Sequence, residues 1–276
     1  MMKFFSELAS MLSMDFMLYA LLCGILVSIC AALLGVSLVL KRYSMIGDGL
    51  SHVSFASLAI GSALSFAPLA FTLPVVALAA FVLLSLNEKG KMKGDSLTAI
   101  ISTGALAIGT VAASLSSGSN IDLNGYMFGS ILSLGKTDLI LSIILFFVVV
   151  PIFTLLYNKM FSVTFDPSFA SATGIKVKAY DTVIALLTAI TIVIGMRLMG
   201  TLLISALIVF PVVTAMRIMK SFKGVVIFSA LLPTVSFSLG LTASYFLSTP
   251  AGASVVCVNL IVFVAASVIG VFRKAK

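Results

Sequence analysis

Asp48 and His52 stand four residues apart in the run from Lys41 to Ser54, and His52 is the only histidine in the 276-residue chain. On a helix, residues at i and i+4 share one face. A carboxylate oxygen would then lie beside an imidazole nitrogen, which is half of a divalent-cation site. The plainer reading is that Asp48 caps a helix and His52 is a satisfied interior residue. The flanking sequence is strongly apolar, and an ionisable group at membrane depth is costly enough that function is the default expectation there.

The elements that carry this pair must span a bilayer. With 61% hydrophobic residues, 9% charged residues and a mean hydropathy of +1.26, the chain is too apolar for a soluble domain of its length. The expected fold class is all-α, a polytopic membrane bundle of about 8–9 transmembrane helices, forming one transmembrane domain over residues 1–276. Long apolar stretches fall at about residues 16–40, 45–66, 68–86, 96–117, 138–157, 181–196, 200–215, 225–247 and 251–271. That makes nine crossings, or eight if the weakest segment is re-entrant. The net charge of +8 is dispersed in short clusters between these stretches, which argues against nucleic acid and for topology. Placing Lys41 and Arg42 in the cytoplasm puts 14 of the 17 basic residues inside, leaving Lys3, Lys136 and Arg197 outside. The N-terminus is then out and the C-terminus in.

Several chemistries fall away. The first apolar run follows Glu7 and Asp15 and is too long for a signal-peptide core, so it reads as a span. Cys23, Cys30 and Cys257 lie within spans and suggest neither disulfides nor a thiolate zinc site. Ser130 to Thr137 ends like a phosphate-binding loop but lacks its first glycine at the required place, and reads as a loop entering a helix. No connection is long enough for a nucleotide-binding fold. A metalloenzyme would need more ligands than one histidine supplies.

Two cytoplasmic segments look built to receive a partner. In the first, Asp166 can cap a short helix, Pro167 fits its first turn and Gly174 its stop. The second, Thr214 to Gly224, alternates apolar and basic residues as a short interfacial helix would, after a local break at Pro211. Anchoring of that stretch to the membrane surface explains the alternation equally well.

Taken together, the run from Arg42 to Ser54, Tyr126 to Ile131, Phe165-Asp166-Pro167, Gly200 to Pro211 and Thr249 to Ser254 resemble the permease subunits of zinc and manganese ABC importers, of the ZnuB, AdcB and MntB type. The resemblance spans nearly the whole chain in family order. It implies a multi-pass protein of the bacterial cytoplasmic membrane that has no cofactor of its own and is not an enzyme. It also implies a homodimer, a cytoplasmic ABC ATPase dimer that binds ATP, and an extracellular or periplasmic metal-binding protein. Asp48 and His52 would be the metal site, and Arg217, Met219, Lys220, Phe222 and Lys223 the ATPase coupling surface. Leu50 to Ser54, Ser102 to Gly104 and Ser221 to Gly224 lean toward Zn²⁺ over Mn²⁺ as cargo.

Counted from Tyr43, His52 would lie about 13 Å into the membrane. Gly47, Gly49, Ser51, Ser54, Ser57 and Gly61 let neighbouring helices approach this one closely, so it should be central. A polar stripe at Thr103, Thr110, Ser114 and Ser117 is a candidate to line the route or support the ligands, with ordinary helix packing as the plainer explanation. The alternative function is a proton-coupled secondary metal transporter, which would work without any ATPase.

Overall fold

The computed structural model describes residues 10, 11, 13–64, 66–88, 94–115, 123–129 and 134–274. Ser117, Ser130 and the basic residues Lys3, Lys89, Lys91, Lys93 and Lys276 lie outside the described residues. Among the described residues the regular structure is all helix, joined by short turns. In lipid this is what backbone chemistry requires, because N–H and C=O groups must find partners within the segment.

The helices are α1 (Asp15–Leu40), α2 (Ile46–Ala63), α3 (Pro68–Glu88), α4 (Gly94–Leu115), α5 (Leu123–Phe128) and α6 (Lys136–Leu155). They continue as α7 (Tyr157–Phe165), α8 (Pro167–Ala172), α9 (Val177–Met199), α10 (Thr201–Ile218), α11 (Phe222–Leu247) and α12 (Ala251–Lys274). Eight of them (α1, α3, α4, α6, α9, α10, α11 and α12) are long and apolar enough to cross a membrane. The remaining segment expected to cross is α2, which at 18 residues has the length but is too polar to be counted with the eight.

Two helices form the centre. α1 packs on α6, α9, α10 and α11, with Cys23, Val27, Cys30 and Leu34 buried along it. α2 is enclosed by α3, α4, α9 and α10, and most of its residues are buried. Its glycines allow this closeness: a Cβ on Gly49 would stand 2.8 Å from Thr98 Cγ2, and one on Gly109 of α4 would stand 2.8 Å from Ala56 Cα. At the periphery α12 is tied to α11 by Ser236 Oγ donating to Asn259 Oδ1 at 3.0 Å.

The short helix expected at Asp166 is α8. Asp166 caps it, accepting from Phe169 N at 2.8 Å, Pro167 opens it, and Gly174 just beyond it has φ +84°. The short interfacial helix expected after Pro211 is not there. α10 runs unbroken through Pro211 to Ile218, and only residues 219–221 separate it from α11. The donor that Pro211 lacks does not end the helix, because neighbouring helices and local adjustment absorb the freed carbonyl at membrane depth. At the other end of α9, a single residue, Gly200 at φ +85°, makes the whole connection to α10.

Candidate metal-transport site

The capping role open to Asp48 belongs to no side chain. The residue before the helix is Met45, which gives no side-chain cap, and Asp48 lies within the first turn. Its carboxylate lies between His52 and Ser102 of α4. Oδ1 is 3.5 Å from His52 Nε2, longer than the 2.7–3.2 Å of a normal N–H···O hydrogen bond, and Oδ2 accepts from Ser102 Oγ at 3.0 Å. His52 Nδ1 is buried and has no hydrogen-bond partner among the described residues. The interior histidine is therefore not a satisfied one, and an orphaned buried polar atom of this kind calls for an explanation.

The separation suits a shared cation. Nitrogen and oxygen ligands at ~2.0–2.1 Å in tetrahedral geometry stand about 3.4 Å apart. Exposure differs between the two side chains: His52 is 16% exposed and Asp48 41%, so the pair is enclosed on the histidine side and open on the carboxylate side. Because α2 begins at Ile46 and not at Tyr43, His52 stands about 9 Å along the axis from the first helical residue, shallower than the count from Tyr43 gave.

Helices α4 and α10 finish the surroundings. Ser51 Oγ donates to the Asp48 carbonyl at 2.8 Å and lies 3.1 Å from Ser205 Oγ of α10. Ser102 and Ser205 were not among the residues singled out for this site by sequence. The stripe of Thr103, Thr110 and Ser114 is exposed, and each of those hydroxyls bonds back to a carbonyl of its own helix. The face of α4 that meets α2 is instead Thr98, Ser102 and Gly109, all buried. Its signal was small side chains at helical spacing, which permit close approach. Among the described residues no group of three or more His, Cys, Asp and Glu side chains could hold a metal ion.

The expected coupling residues sit around the α10–α11 link. Arg217, Lys220 and Lys223 are exposed, while Met219 and Phe222 are half-buried. Ser221 caps α11 by accepting from Gly224 N at 3.2 Å. The Phe222 ring packs against Tyr157, Phe161 and Phe165 of α7, with centroids at 5.3, 5.1 and 5.8 Å. The two segments that looked separately suited to a partner thus form one surface, joined by an aromatic cluster.

A bundle of membrane-crossing helices closed around a carboxylate–imidazole pair defines a polytopic membrane permease. The chain belongs to the ABC 3 transport family, whose model matches residues 13–270. It is 31% identical over 245 residues to the high-affinity zinc uptake system membrane protein ZnuB of Haemophilus influenzae, covering 89% of this chain and 94% of that protein. It is 27% identical over 248 residues to the manganese import system permease protein ScaB of Streptococcus gordonii, covering 90% of this chain and 89% of that one. Among solved structures, PsaBC from Streptococcus pneumoniae in complex with Fab matches with a TM-score of 0.84 at 25% identity, covering 95% of each chain. An inward-facing metal-chelate type ABC transporter matches with a TM-score of 0.75 at 14% identity, covering 91% of this chain and 85% of that one, and supports the fold alone. The protein is a multi-pass cytoplasmic-membrane permease of the zinc and manganese ABC importer class. Its relatives divide between the two metals.

Proposed function

We propose that the chain, as a single permease domain with its N-terminus outside and its C-terminus in the cytoplasm, moves Zn²⁺ in preference to Mn²⁺ from an external binding protein into the cell. It works as a homodimer driven by a cytoplasmic ABC ATPase. The observation that carries this reading is the Asp48–His52 pair, 3.5 Å apart on the most enclosed polar helix of the bundle.

Asp48 and His52 are the transport ligands, and Ser102 holds the second carboxylate oxygen so that the first faces the imidazole. A site of two protein ligands suits transport, because cargo must leave again. Water, carbonyl groups or the second copy of the chain complete the shell on the open side, where Asp48 is 41% exposed. The tetrahedral spacing and the sequence likeness at Leu50 to Ser54 favour zinc. The permease performs no hydrolysis; ATP is bound by the partner. Force enters at the surface formed by Arg217, Met219, Lys220, Phe222 and Lys223 together with α7, since a push on either segment is passed through the Phe222 ring cluster.

The test is uptake of Zn²⁺ and of Mn²⁺ by proteoliposomes carrying the permease with its ATPase and binding protein. ATP-dependent uptake with zinc the better cargo is expected. Manganese the better cargo would reverse the metal assignment, and uptake by the permease alone in a proton gradient would replace the ATP-driven reading with secondary transport.

A further inference from the structure

At the end of the bundle that holds the α1–α2 turn, three cations have no counter-charge among the described residues. Arg42, Lys176 and Lys178 are exposed around a cleft of about 1060 Å³, and among the described residues none has a carboxylate within ion-pair distance. The acid in the wall, Asp181, is engaged by Lys41, and both side chains of that pair are nearly buried. Like charges gathered around one concavity focus a positive potential there, which an anion relieves.

The facing wall is hydroxylic. Ser168 and Ser171 come from α8, and Thr164 from the end of α7. Thr164 is only 7% exposed and its hydroxyl has no hydrogen-bond partner among the described residues, so a donor stands unused in the wall. Lysine and arginine opposite hydroxyl donors are the groups that recognise phosphate oxygens.

A second feature specifies the rest of the ligand. A groove of about 300 Å³ shares Lys178 and Asp181 with the cleft and continues between α3 and α9, walled by Phe81, Leu84 and Ala185 together with Ser85 and Thr182. A cationic, hydroxyl-lined chamber opening onto a groove with an apolar wall of Phe81, Leu84 and Ala185 between membrane helices matches a molecule with a phosphate at one end and hydrocarbon at the other. Basic pockets between transmembrane helices on the cytoplasmic side are suited to such headgroups.

We propose that this cleft and groove form a binding site for an anionic phospholipid, with the phosphodiester at Arg42, Lys176 and Lys178 and an acyl chain along Phe81, Leu84 and Ala185. The bound lipid bridges the α1–α2 turn, α8 and the start of α9.

The experiment is native mass spectrometry of the full chain purified in detergent and titrated with phosphatidylglycerol, with phosphatidylcholine and with inorganic phosphate. Phosphatidylglycerol is expected to be retained about ten-fold or more over phosphatidylcholine. The double variant Lys176→Gln with Lys178→Gln, both exposed side chains, should lose that preference, and Arg42→Gln should weaken it in the same direction. Phe81→Ser, at a side chain 52% exposed, should weaken phosphatidylglycerol binding several-fold and leave inorganic phosphate binding unchanged. Equal retention of the two lipids, or an undiminished preference in folded double variant and Arg42→Gln alike, overturns the proposal. So does binding of inorganic phosphate without a preference for phosphatidylglycerol, which would make the cleft a free-phosphate site. The readout is lipid binding alone, so failure of the transport reading leaves it intact.

Discussion

Helices α2 and α12 show opposite ways of living in a bilayer. α12 is the most apolar of the eight candidate spans and among the least buried, presenting Ile261, Val268 and Phe272 outward. α2 is too polar to rank with those eight and is mostly buried, wrapped by four neighbours. In lipid an apolar surface carries no penalty outside, so the helix that must be hidden is the polar one. Enclosure of α2 therefore marks where the chain shelters polar and ionisable groups, and α12 marks where the chain only needs solvent compatibility.

The comparison is most sharply tested at the ligands. Asp48→Ala and His52→Ala should each reduce metal uptake to background while the variant still assembles with its ATPase; uptake near normal in both would remove the functional meaning of the buried helix. Almost as large an effect is expected at the cytoplasmic end, where Phe222→Asp places a charge in the cluster with Tyr157, Phe161 and Phe165. Coupled uptake should be lost, seen as ATP hydrolysis without transport or as release of the ATPase in a pull-down, with metal binding retained. If both pull-down and coupled uptake survive, docking lies on α8 alone.

Enclosure itself can be attacked through Gly109→Leu, because even a Cβ there meets Ala56 and Phe55 of α2 at 2.8 and 2.9 Å. Overpacking of this kind costs about 1–3 kcal/mol, read as a lowered unfolding midpoint in detergent. A smaller effect is expected from Ser102→Ala, which frees Asp48 Oδ2 and should weaken metal binding about ten-fold. Ser102→Thr keeps the hydroxyl and should restore most of that loss; if Thr and Ala behave alike, the hydroxyl has no orienting role. The least effect belongs to α12: Ile261→Ala, at a side chain 66% exposed, should change stability by less than about 0.5 kcal/mol and leave uptake unaltered.

Much of this was legible before any coordinates. The long apolar stretches locate the long helices, because hydrocarbon thickness sets segment length and leaves the backbone few choices. Asp166, Pro167 and Gly174 specify α8 locally, since capping chemistry depends on neighbours in sequence alone. The spacing of Asp48 and His52 brings them together for the same reason. What was not legible depends on which helix faces which. Ser102 and Thr103 are adjacent in sequence and point to different faces of α4, and nothing local says that Ser102 turns toward α2. The alternation after Pro211 read as a separate helix because basic residues interrupt the apolar run. In the structure Arg217 belongs to the last turn of α10, Lys220 to the link and Lys223 to the first turn of α11, and Phe222 packs on α7.

The single-residue connection at Gly200 has a mechanical consequence. From Val177 to Leu247 only Gly200 and residues 219–221 are not helical, so three successive long helices are strung together with almost no slack. A loop of many residues would let one helix slide while its neighbour stays still. Here a displacement of α9 at the Gly200 end would be handed directly to α10, whose Ser205 lies 3.1 Å from Ser51, the residue next to His52. The Gly200 connection and the Asp48–His52 pair are in that sense geared to each other, and a chain lengthened at Gly200 by a few flexible residues would uncouple the movement of α9 from that of α10.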